Sequence, residues 1–309
     1  MTPSNNRPKY LLVVGGATAT GKTAMAIRLA KVFNTEILSA DSRQFYREMT
    51  IGTAKPAPED LAAAPHHFIN FLSVTEPYSV GDFERDALQI LEQIFKEKDI
   101  AILVGGSGLF LRAVYAGLDE FPLISPETKA WVANGAAKGG LSWLQQRVAE
   151  LDPVYFERVD RQNPARLRRA LEVCRESGRP FSGFLDKRQP ARPFQPVFLL
   201  LERPRQELYA QIDARVDKML ADGLEEEARA LLPFRHYPAL RTVGYEEWFD
   251  CFDGLICRET AVEKIKQHSR NYAKRQATWF NKHGVWKRFH PDDVAGILAY
   301  CMEKTNEPG

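Results

Sequence analysis

Apolar and polar positions along this chain follow two alternating patterns. Short apolar runs occupy residues 10–14, 100–104 and 197–201, and the mixed run at 36–40 (EILSA) has the same length. Runs of this length predict buried strands, and apolar residues at helical spacing between them, as in residues 24–33, predict helices that pack on those strands. A Ser79-to-Asp82 capping box opens another such helix before the strand at 100–104. Strands that alternate with helices predict an α/β fold, a parallel sheet covered by helices.

The pattern changes near Asp119. From there the chain has helix starts at Ser125-Pro126 and Asn163-Pro164 and several short amphipathic runs, with no strand pattern until residue 197. Because 309 residues exceed one average domain, we predict an inserted all-helical domain over residues 119–196. The main domain would then comprise residues 1–118 and 197–309, which two long helices at 205–232 and 259–280 complete.

A loop that fits a phosphate group joins the first predicted strand to the first predicted helix. Its residues are Gly16, Ala17, Thr18, Ala19, Thr20, Gly21, Lys22 and Thr23. Backbone N–H groups at a helix start point at an anion, a lysine adds a positive charge, and a threonine hydroxyl can ligate Mg²⁺. The loop therefore predicts a diphosphate or triphosphate site in a P-loop NTPase-like fold. The alternative is a glycine-rich turn that caps an ordinary helix.

The Mg²⁺-binding carboxylate of a kinase site is missing from its usual position. A kinase or ATPase commonly has an Mg²⁺-binding carboxylate at the end of a later strand, but residues 100–104 lead into Gly105, Gly106 and Ser107. Asp41 instead follows the strand at 36–40. At the carboxyl edge of a parallel sheet it can act as a general base, or it can simply accept hydrogen bonds from nearby loop N–H groups.

Seven separated blocks, which occur in the same order in one enzyme family, extend over nearly the whole chain. They are residues 39–47 (SADSRQFYR), 51–56 (IGTAKP), 65–67 (PHH), 78–79 (YS), 104–109 (VGGSGL), 163–173 and 274–280 (KRQATWF). Together with the phosphate loop they resemble the bacterial tRNA dimethylallyltransferases. Two departures keep small or hydroxyl side chains: the loop has Ala17 and Thr20 where the family usually has proline and serine, and Ser107 replaces a threonine.

The resemblance implies a prenyl transfer. In the family, N6 of the adenosine immediately 3′ of the tRNA anticodon attacks the first carbon of dimethylallyl diphosphate, and pyrophosphate leaves. The phosphate loop would hold the leaving group with Mg²⁺ on Thr23, and Asp41 would take the N6 proton. The resemblance adds Lys22, Arg215 and Ser107 to the reacting centre. On residue type alone, Arg215 could instead pair with Asp213 or Asp217 within its helix, and Ser107 could serve only a turn.

The resemblance also implies contacts to the anticodon stem-loop of tRNA, in four segments. These are Asp41, Ser42, Arg43 and Gln44; Ala165, Arg166, Leu167, Arg168 and Arg169; Arg241, Thr242, Val243, Gly244, Tyr245 and Glu246; and Lys274, Arg275, Gln276, Ala277, Thr278, Trp279, Phe280 and Asn281. Trp279 and Phe280 fall on the apolar side of a helical pattern, which favours a core position over base stacking.

Charge is unevenly distributed. The chain has a net charge of only +2, yet residues 157–192 carry +5 and residues 258–290 carry +7, so the rest carries −10. Concentrated basic charge is typical of surfaces that follow a phosphate backbone. The alternative for any one of these residues is a solvated helix face with ion pairs.

We expect a cytoplasmic protein without a membrane anchor, and we expect it to be a monomer. No apolar stretch approaches the roughly 20 residues that a membrane span requires, and residues 1–8 lack the apolar region of a signal peptide. Cys174, Cys251, Cys257 and Cys301 have no paired spacing, which predicts buried free thiols rather than a zinc site or disulfides.

Three other functions remain open at this stage. A small-molecule kinase would turn over ATP. A nucleotide-switch RNA-binding protein would need a guanine-reading Asn-Lys-x-Asp element, and Asn281-Lys282-His283-Gly284 lacks the aspartate. An adenylate isopentenyltransferase would prenylate free AMP. The two basic segments favour tRNA over AMP as the acceptor.

Overall fold

The computed structural model describes residues 7–185 and 191–306, and the first six residues, 186–190 and 307–309 lie outside this description. The chain divides into two compact units, Met1–Ala116 with Arg192–Gly309, and Gly117–Ala191. The sequence-based border at residue 196 is therefore too late. Arg192 already belongs to the first unit, because its guanidinium donates to Glu84 Oε1 (2.5 Å) and to the Ala113 carbonyl (2.8 Å).

The first unit contains a six-stranded, wholly parallel sheet, which confirms the predicted fold class. The strands are β1 (Tyr10–Gly16), β2 (Ile37–Ser39), β3 (His66–His67), β4 (Ile100–Gly105), β5 (Gln195–Leu201) and β6 (Lys287–Phe289), in the spatial order β3-β2-β4-β1-β5-β6. The four predicted strands are present. The short edge strands β3 and β6 are additions that the apolar pattern did not predict.

Helices account for most of the remaining described residues. They are α1 (Lys22–Phe33), α2 (Pro58–Ala63), α3 (Val80–Glu97), α4 (Gly108–Ala116), α5 (Pro126–Leu151), α6 (Pro153–Phe156), α7 (Pro164–Ser177), α8 (Arg205–Ala221), α9 (Leu224–Leu231), α10 (Glu246–Phe252), α11 (Arg258–Lys282) and α12 (Val294–Asn306). The predicted capping box of α3 is confirmed, since the Asp82 N–H donates to Ser79 Oγ (3.1 Å) and the Ser79 N–H donates to Asp82 Oδ2 (3.0 Å).

Both faces of the sheet are covered. Successive side chains of a strand point to opposite faces, and along β1 Leu11 and Val13 belong to one core while Leu12 and Val14 belong to the other. The first core includes buried residues of α3, α4 and α9–α11, and the second includes buried residues of α1 and α12. Burial on both faces explains why the strands are continuous apolar runs rather than alternating ones.

The predicted long helix at 205–232 is wrong, because the chain breaks between α8 and α9. Gly223 has φ +101°, a left-handed conformation that glycine adopts without strain. A new helix, α9, begins after this glycine at Leu224, and its first turn contains three glutamates. The other predicted helix corresponds to α11.

The second unit is helical in its described residues, with α5–α7 and a 3₁₀ turn at Phe181–Phe184. Its core includes Val132, Leu144, Leu167 and Leu171, all nearly inaccessible to solvent. Helix α5 is interrupted at Gly140, whose φ of 61° and ψ of −151° are not helical.

All four cysteines are free thiols, as predicted, but only Cys174 and Cys301 are buried. The expectation of burial is wrong for Cys257, which is exposed just before α11, and only partly right for Cys251. Among the described residues, no helix is both long enough and apolar enough to cross a membrane.

A close approach between two strand ends generates a stability prediction. A Cβ atom on Gly105, at the end of β4, would lie 2.6 Å from the Ala40 carbonyl oxygen. We expect Gly105→Ala to destabilise the protein by about 1–3 kcal/mol, since backbone would have to move. Gly81→Ala is the matched control, because its nearest atom, Ser79 Oγ, is 3.7 Å away. Urea unfolding of both variants measures the difference, and equal stabilities would contradict the prediction.

Candidate functional site

A cavity lies at the edge of the sheet where parallel strands end. Three segments meet there: the loop after β1, Asp41 after β2, and Gly105-Gly106 at the end of β4. Strands β4 and β1 are neighbours in the sheet. The chain goes from β1 to β2 on one side of this pair and from β4 to β5 on the other side. Adjacent strands whose connections diverge leave a crevice at their carboxyl ends, which is the usual ligand position in open α/β sheets.

The loop at 16–21 connects β1 to α1 and has a glycine with positive φ at each end. Gly21 (φ +85°) precedes the first turn of α1, and a Cβ on Gly16 would lie 2.7 Å from the Leu201 carbonyl. Two side chains fold back within the loop: Thr20 Oγ donates to the Ala17 carbonyl (2.8 Å), as does Lys22 Nζ (2.6 Å). Thr18, Lys22 and Thr23 line the cavity, so the start of α1 presents its N–H groups there.

Two cations share one carboxylate in this cavity. Burial lowers the pKa of Lys22 to about 8, with the charge of Asp41 acting to raise it and that of Arg215 to lower it further. Burial also lowers the pKa of Arg215, again opposed by Asp41. An excess of desolvated positive charge is favourable for an anionic ligand, whose charge would compensate it.

Arg215 reaches the cavity from α8, and the aspartates that could have held it in its helix are engaged elsewhere. Asp213 pairs with Arg270 (2.5 Å), and Asp217 pairs with Lys266 (2.6 Å). The Arg215 guanidinium donates instead to the Thr53 carbonyl (3.4 Å). The geometry therefore favours a site position for Arg215 over an intrahelical ion pair.

Asp41 lies in the cavity and also holds its own loop. Its Oδ1 accepts a hydrogen bond from the Arg43 N–H (3.1 Å), which is loop chemistry. The residue also lines the cavity, and its charge adds to the desolvation that raises the pKa of Tyr272 to about 12. One carboxylate oxygen thus holds the loop, while the group's charge acts in the cavity.

Gln276 joins the two glycine loops. Its Oε1 accepts from the Thr18 N–H (2.8 Å), and its Nε2 donates to the Gly106 carbonyl (3.0 Å). The side chain is buried, so its amide fixes the spacing of the loops after β1 and β4. Ser107, predicted at the reacting centre, is half-buried one residue beyond Gly106 and is not among the described residues that line the cavity.

The remaining residues of the α11 segment divide between surface and core. Phe280 is buried in the core, and Trp279 packs against Gly108, where a Cβ would lie 2.1 Å from its ring. Ala277 is half-buried. Exposed positions are Lys274, Arg275, Thr278 and Asn281. This segment therefore offers an exposed polar face, while its two aromatic residues pack inward.

The other segments predicted to contact tRNA also differ in their environment. The Arg43 guanidinium donates to the carbonyls of Pro238, Ala239 and Arg241, and buried Gln44 donates to those of Thr53 and Ala54. In the turn at 241–246, cavity-lining residues are Thr242, Val243 and Gly244, Tyr245 is buried, and Arg241 and Glu246 are exposed. Residues 165–169 lie on α7 in the second unit, where Arg166 and Arg168 are exposed.

Part of the cavity wall was missed by sequence reasoning. Apolar residues from two helices form it: Ile212, Val216 and Met219 on α8 and Ile265 on α11. Their helical spacing predicts an apolar face, but a face that lines a cavity has the same spacing as one that packs in a core. Thr53, Ser269 and Tyr272 also line the cavity, and no sequence signal marked the latter two.

The fold and the cavity define a P-loop-like α/β protein with a cationic cavity at the edge of its sheet. Residues 44–283 match the sequence model of the family described as IPP transferase. The chain is 47% identical over 298 residues to a tRNA dimethylallyltransferase of Christiangramia forsetii, covering 96% of this chain and 99% of that protein. A Cytophaga hutchinsonii protein of the same name is 44% identical over 299 residues, covering 97% and 98%.

Solved structures agree with this assignment. A tRNA isopentenylpyrophosphate transferase from Bacillus halodurans has a TM-score of 0.72 and 30% identity, covering 96% of this chain and 97% of that chain. A eukaryotic dimethylallyltransferase that acts on tRNA has a TM-score of 0.78 at 23% identity, covering 96% and 77%, and shares the fold. The protein belongs to the IPP transferase family.

The pKa of Lys22 generates a prediction about pH. Lys22 is charged below a pH of about 8 and neutral above it, so anion affinity should be lost as the pH rises through that value. Lys22→Arg keeps its charge throughout. We expect pyrophosphate affinity of the wild type, relative to Lys22→Arg, to fall about tenfold between a pH of about 7 and about 9. Calorimetry measures both proteins with the same ligand, and a constant ratio would contradict the prediction.

Proposed function

We propose that the protein transfers the dimethylallyl group of dimethylallyl diphosphate to N6 of the adenosine immediately 3′ of the anticodon in tRNA, and releases pyrophosphate. The observation that carries the proposal is that two half-buried, partly desolvated cations share one carboxylate in a single cavity. Relatives that cover nearly the whole chain are named for this activity. The site chemistry and the family membership therefore support the same reaction.

The cationic side of the cavity would stabilise the leaving group. As the bond between the first prenyl carbon and the diphosphate oxygen breaks, negative charge develops on pyrophosphate. Lys22, Arg215 and the N-terminus of α1 face the same cavity. Fixed charges and dipoles placed where charge develops lower a barrier most in a site that excludes water.

Asp41 would accept the proton. N6 forms its bond to the prenyl carbon and becomes positively charged until one proton moves to the carboxylate. Because the Arg43 N–H occupies Oδ1 (3.1 Å), the carboxylate is held in a fixed orientation. General base catalysis of this kind contributes typically about 10²–10⁴-fold.

Mg²⁺ fits the donor set. Thr23 supplies one hydroxyl to the cavity, and the described residues contain no cluster of three or more His, Cys, Asp or Glu that could hold a metal alone. Mg²⁺ is usually held by one or two protein oxygens together with substrate phosphates and water. When bound, it would supply further positive charge to the diphosphate.

The apolar wall would accept the five-carbon chain. Ile212 and Val216 are almost fully buried, and they line the cavity on the same helix that supplies Arg215. A hydrocarbon that leaves water for such a surface is favoured by roughly 25 cal/mol per Å². Helix α8 would thus contact both the prenyl chain and the diphosphate.

The acceptor would be a base turned out of the anticodon loop. Chemistry on a base requires it to leave its stack, at a cost of a few kcal/mol that is least in a single-stranded loop. Arg166 and Arg168 on α7, and Lys274 and Arg275 on α11, are exposed cations suited to the RNA backbone. We extend the proposal to a monomer that acts in the cytoplasm, where its tRNA substrate is found.

One assay tests the reaction. Labelled dimethylallyl diphosphate is offered with total tRNA or with AMP, with Mg²⁺ or with a chelator. We expect label in tRNA only, and only with Mg²⁺. Transfer to AMP would instead support an adenylate isopentenyltransferase, and ATP hydrolysis at a comparable rate without a prenyl donor would support a kinase.

Asp41→Asn tests the base. The amide can still hydrogen-bond N6 but cannot take its proton, so we expect the single-turnover rate to fall by about 10² or more while tRNA affinity stays within a few fold. Asp217→Asn removes the same charge from an exposed side chain that pairs with Lys266, and it should leave the rate unchanged. An unchanged rate in Asp41→Asn would remove Asp41 from this role.

Salt dependence tests the basic segments. If they neutralise about five phosphates, tRNA affinity should fall with a log–log slope of roughly −3.5. Replacing Arg166 and Arg169, three residues apart on α7, by glutamine should make the slope shallower by about one to two. The control replaces exposed Lys129 and Lys138 of α5. An equal slope in both double variants would make the arginines a solvated helix face.

A further inference from the structure

One carboxylate outside the predicted site receives four hydrogen bonds. Glu227 Oε2 accepts from the backbone N–H groups of Thr50 (2.9 Å) and Ile51 (2.8 Å). Its Oε1 accepts from the Gly52 N–H (2.9 Å) and from the Tyr245 hydroxyl (2.7 Å). Three consecutive N–H groups that converge on one anion form an anion-binding concavity, and here the anion is a side chain of the protein itself.

The loop that Glu227 holds forms part of the cavity. Gly52, Thr53 and Ala54 line it. The Thr53 carbonyl accepts from Arg215 Nη2 (3.4 Å) and from Gln44 Nε2 (3.2 Å). Since Glu227 fixes the peptide units directly before Thr53, it also fixes the acceptor that orients the Arg215 guanidinium.

The loop has little freedom to move away from this position. A Cβ on Gly52 would lie 2.6 Å from the Tyr245 hydroxyl, so the backbone at 52 is in direct contact with that side chain. Tyr245 is fully buried. Burial, followed by the negative charge of Glu227, raises its pKa, which keeps the hydroxyl protonated as a donor.

Tyr245 connects the same carboxylate to a second wall of the cavity. It follows Thr242, Val243 and Gly244, which also line the cavity. Hydrogen bonds to a charged acceptor are roughly twice as strong as neutral ones. A single glutamate on α9 thereby holds two cavity-lining segments that are distant in sequence.

We propose that Glu227 is a positioning residue for the diphosphate: it fixes the loop at 50–54 and, through the Thr53 carbonyl, sets the position of Arg215. This inference rests on the proposed function, which assigns the diphosphate to Arg215. Glu227 does not touch the ligand. Its effect reaches the ligand through one loop and one guanidinium.

Glu227→Gln is the informative change. An amide has the same shape, but its NH₂ group must face either the Thr50 and Ile51 N–H groups or the Gly52 N–H, which leaves at least one donor opposite another donor. We expect pyrophosphate to bind at least about tenfold more weakly by calorimetry. The KM for dimethylallyl diphosphate should rise, while tRNA affinity stays within a few fold.

Glu226→Gln is the matched control. Glu226 is the neighbouring residue on α9, is exposed and carries the same charge, so its variant should bind pyrophosphate as the wild type does. If Glu227→Gln folds poorly, Tyr245→Phe removes one of the four donors without changing charge. That variant should weaken pyrophosphate binding by a smaller factor, of about two- to fivefold.

A double-mutant cycle separates positioning from general destabilisation. In an Arg215→Gln background, Glu227→Gln should weaken pyrophosphate binding less than twofold, because the group that it positions is gone. The same fold-change in both backgrounds would overturn the proposal. So would unchanged binding in Glu227→Gln while the wild type still prenylates tRNA. Wild-type protein that binds pyrophosphate, with the predicted coupling, but transfers no prenyl group would contradict only the proposed function.

Discussion

Partial burial of two cations beside a single carboxylate is the constraint on which the rest of this site depends. Lys22 and Arg215 both lose water in the folded protein, and burial lowers the pKa of each. Isolated buried charges are costly, and Asp41 offsets only part of that cost for two positive groups. Such a site keeps its cations in place only if its walls are rigid. If the two side chains moved out into solvent, the positive charge that an anion requires would leave the cavity.

Rigidity comes from buried polar side chains that bind backbone groups of the loops. Gln276 spans the loops after β1 and β4, and Gln44 holds the carbonyls of Thr53 and Ala54. Glu247 repeats the role of Glu227 on a smaller scale, since it accepts from the Gly244 N–H (2.8 Å) and pairs with His268 (2.6 Å). Each loop that lines the cavity is therefore tied to a neighbouring segment by a side chain whose hydrogen-bonding capacity is mostly used.

The sequence predicted the strands and the loops that line the cavity better than the groups that support them. Buried strands and the loop at 16–23 have local signals, namely an apolar run, and glycines before a lysine and a threonine. Strand β3 has only two residues and is a strand only because it pairs with β2, so no local pattern could reveal it. Glu227 carries no sequence signal of its own, because its four donors come from residues 50–52 and 245 and meet it only in the folded chain.

The opposed charges of the cavity suit a reaction in which charge separates. In the proposed transfer, the diphosphate gains negative charge near Lys22 and Arg215 while the attacking nitrogen gains positive charge near Asp41. Both charges grow from the ground state to the transition state, so the same three groups bind the transition state more tightly than the substrates. Displacement of Arg215 would weaken the positive part of the cavity and leave the carboxylate of Asp41 unchanged. The loop held by Glu227 would therefore matter most for the diphosphate half of the reaction, and the Arg43 N–H that orients Asp41 for the adenosine half.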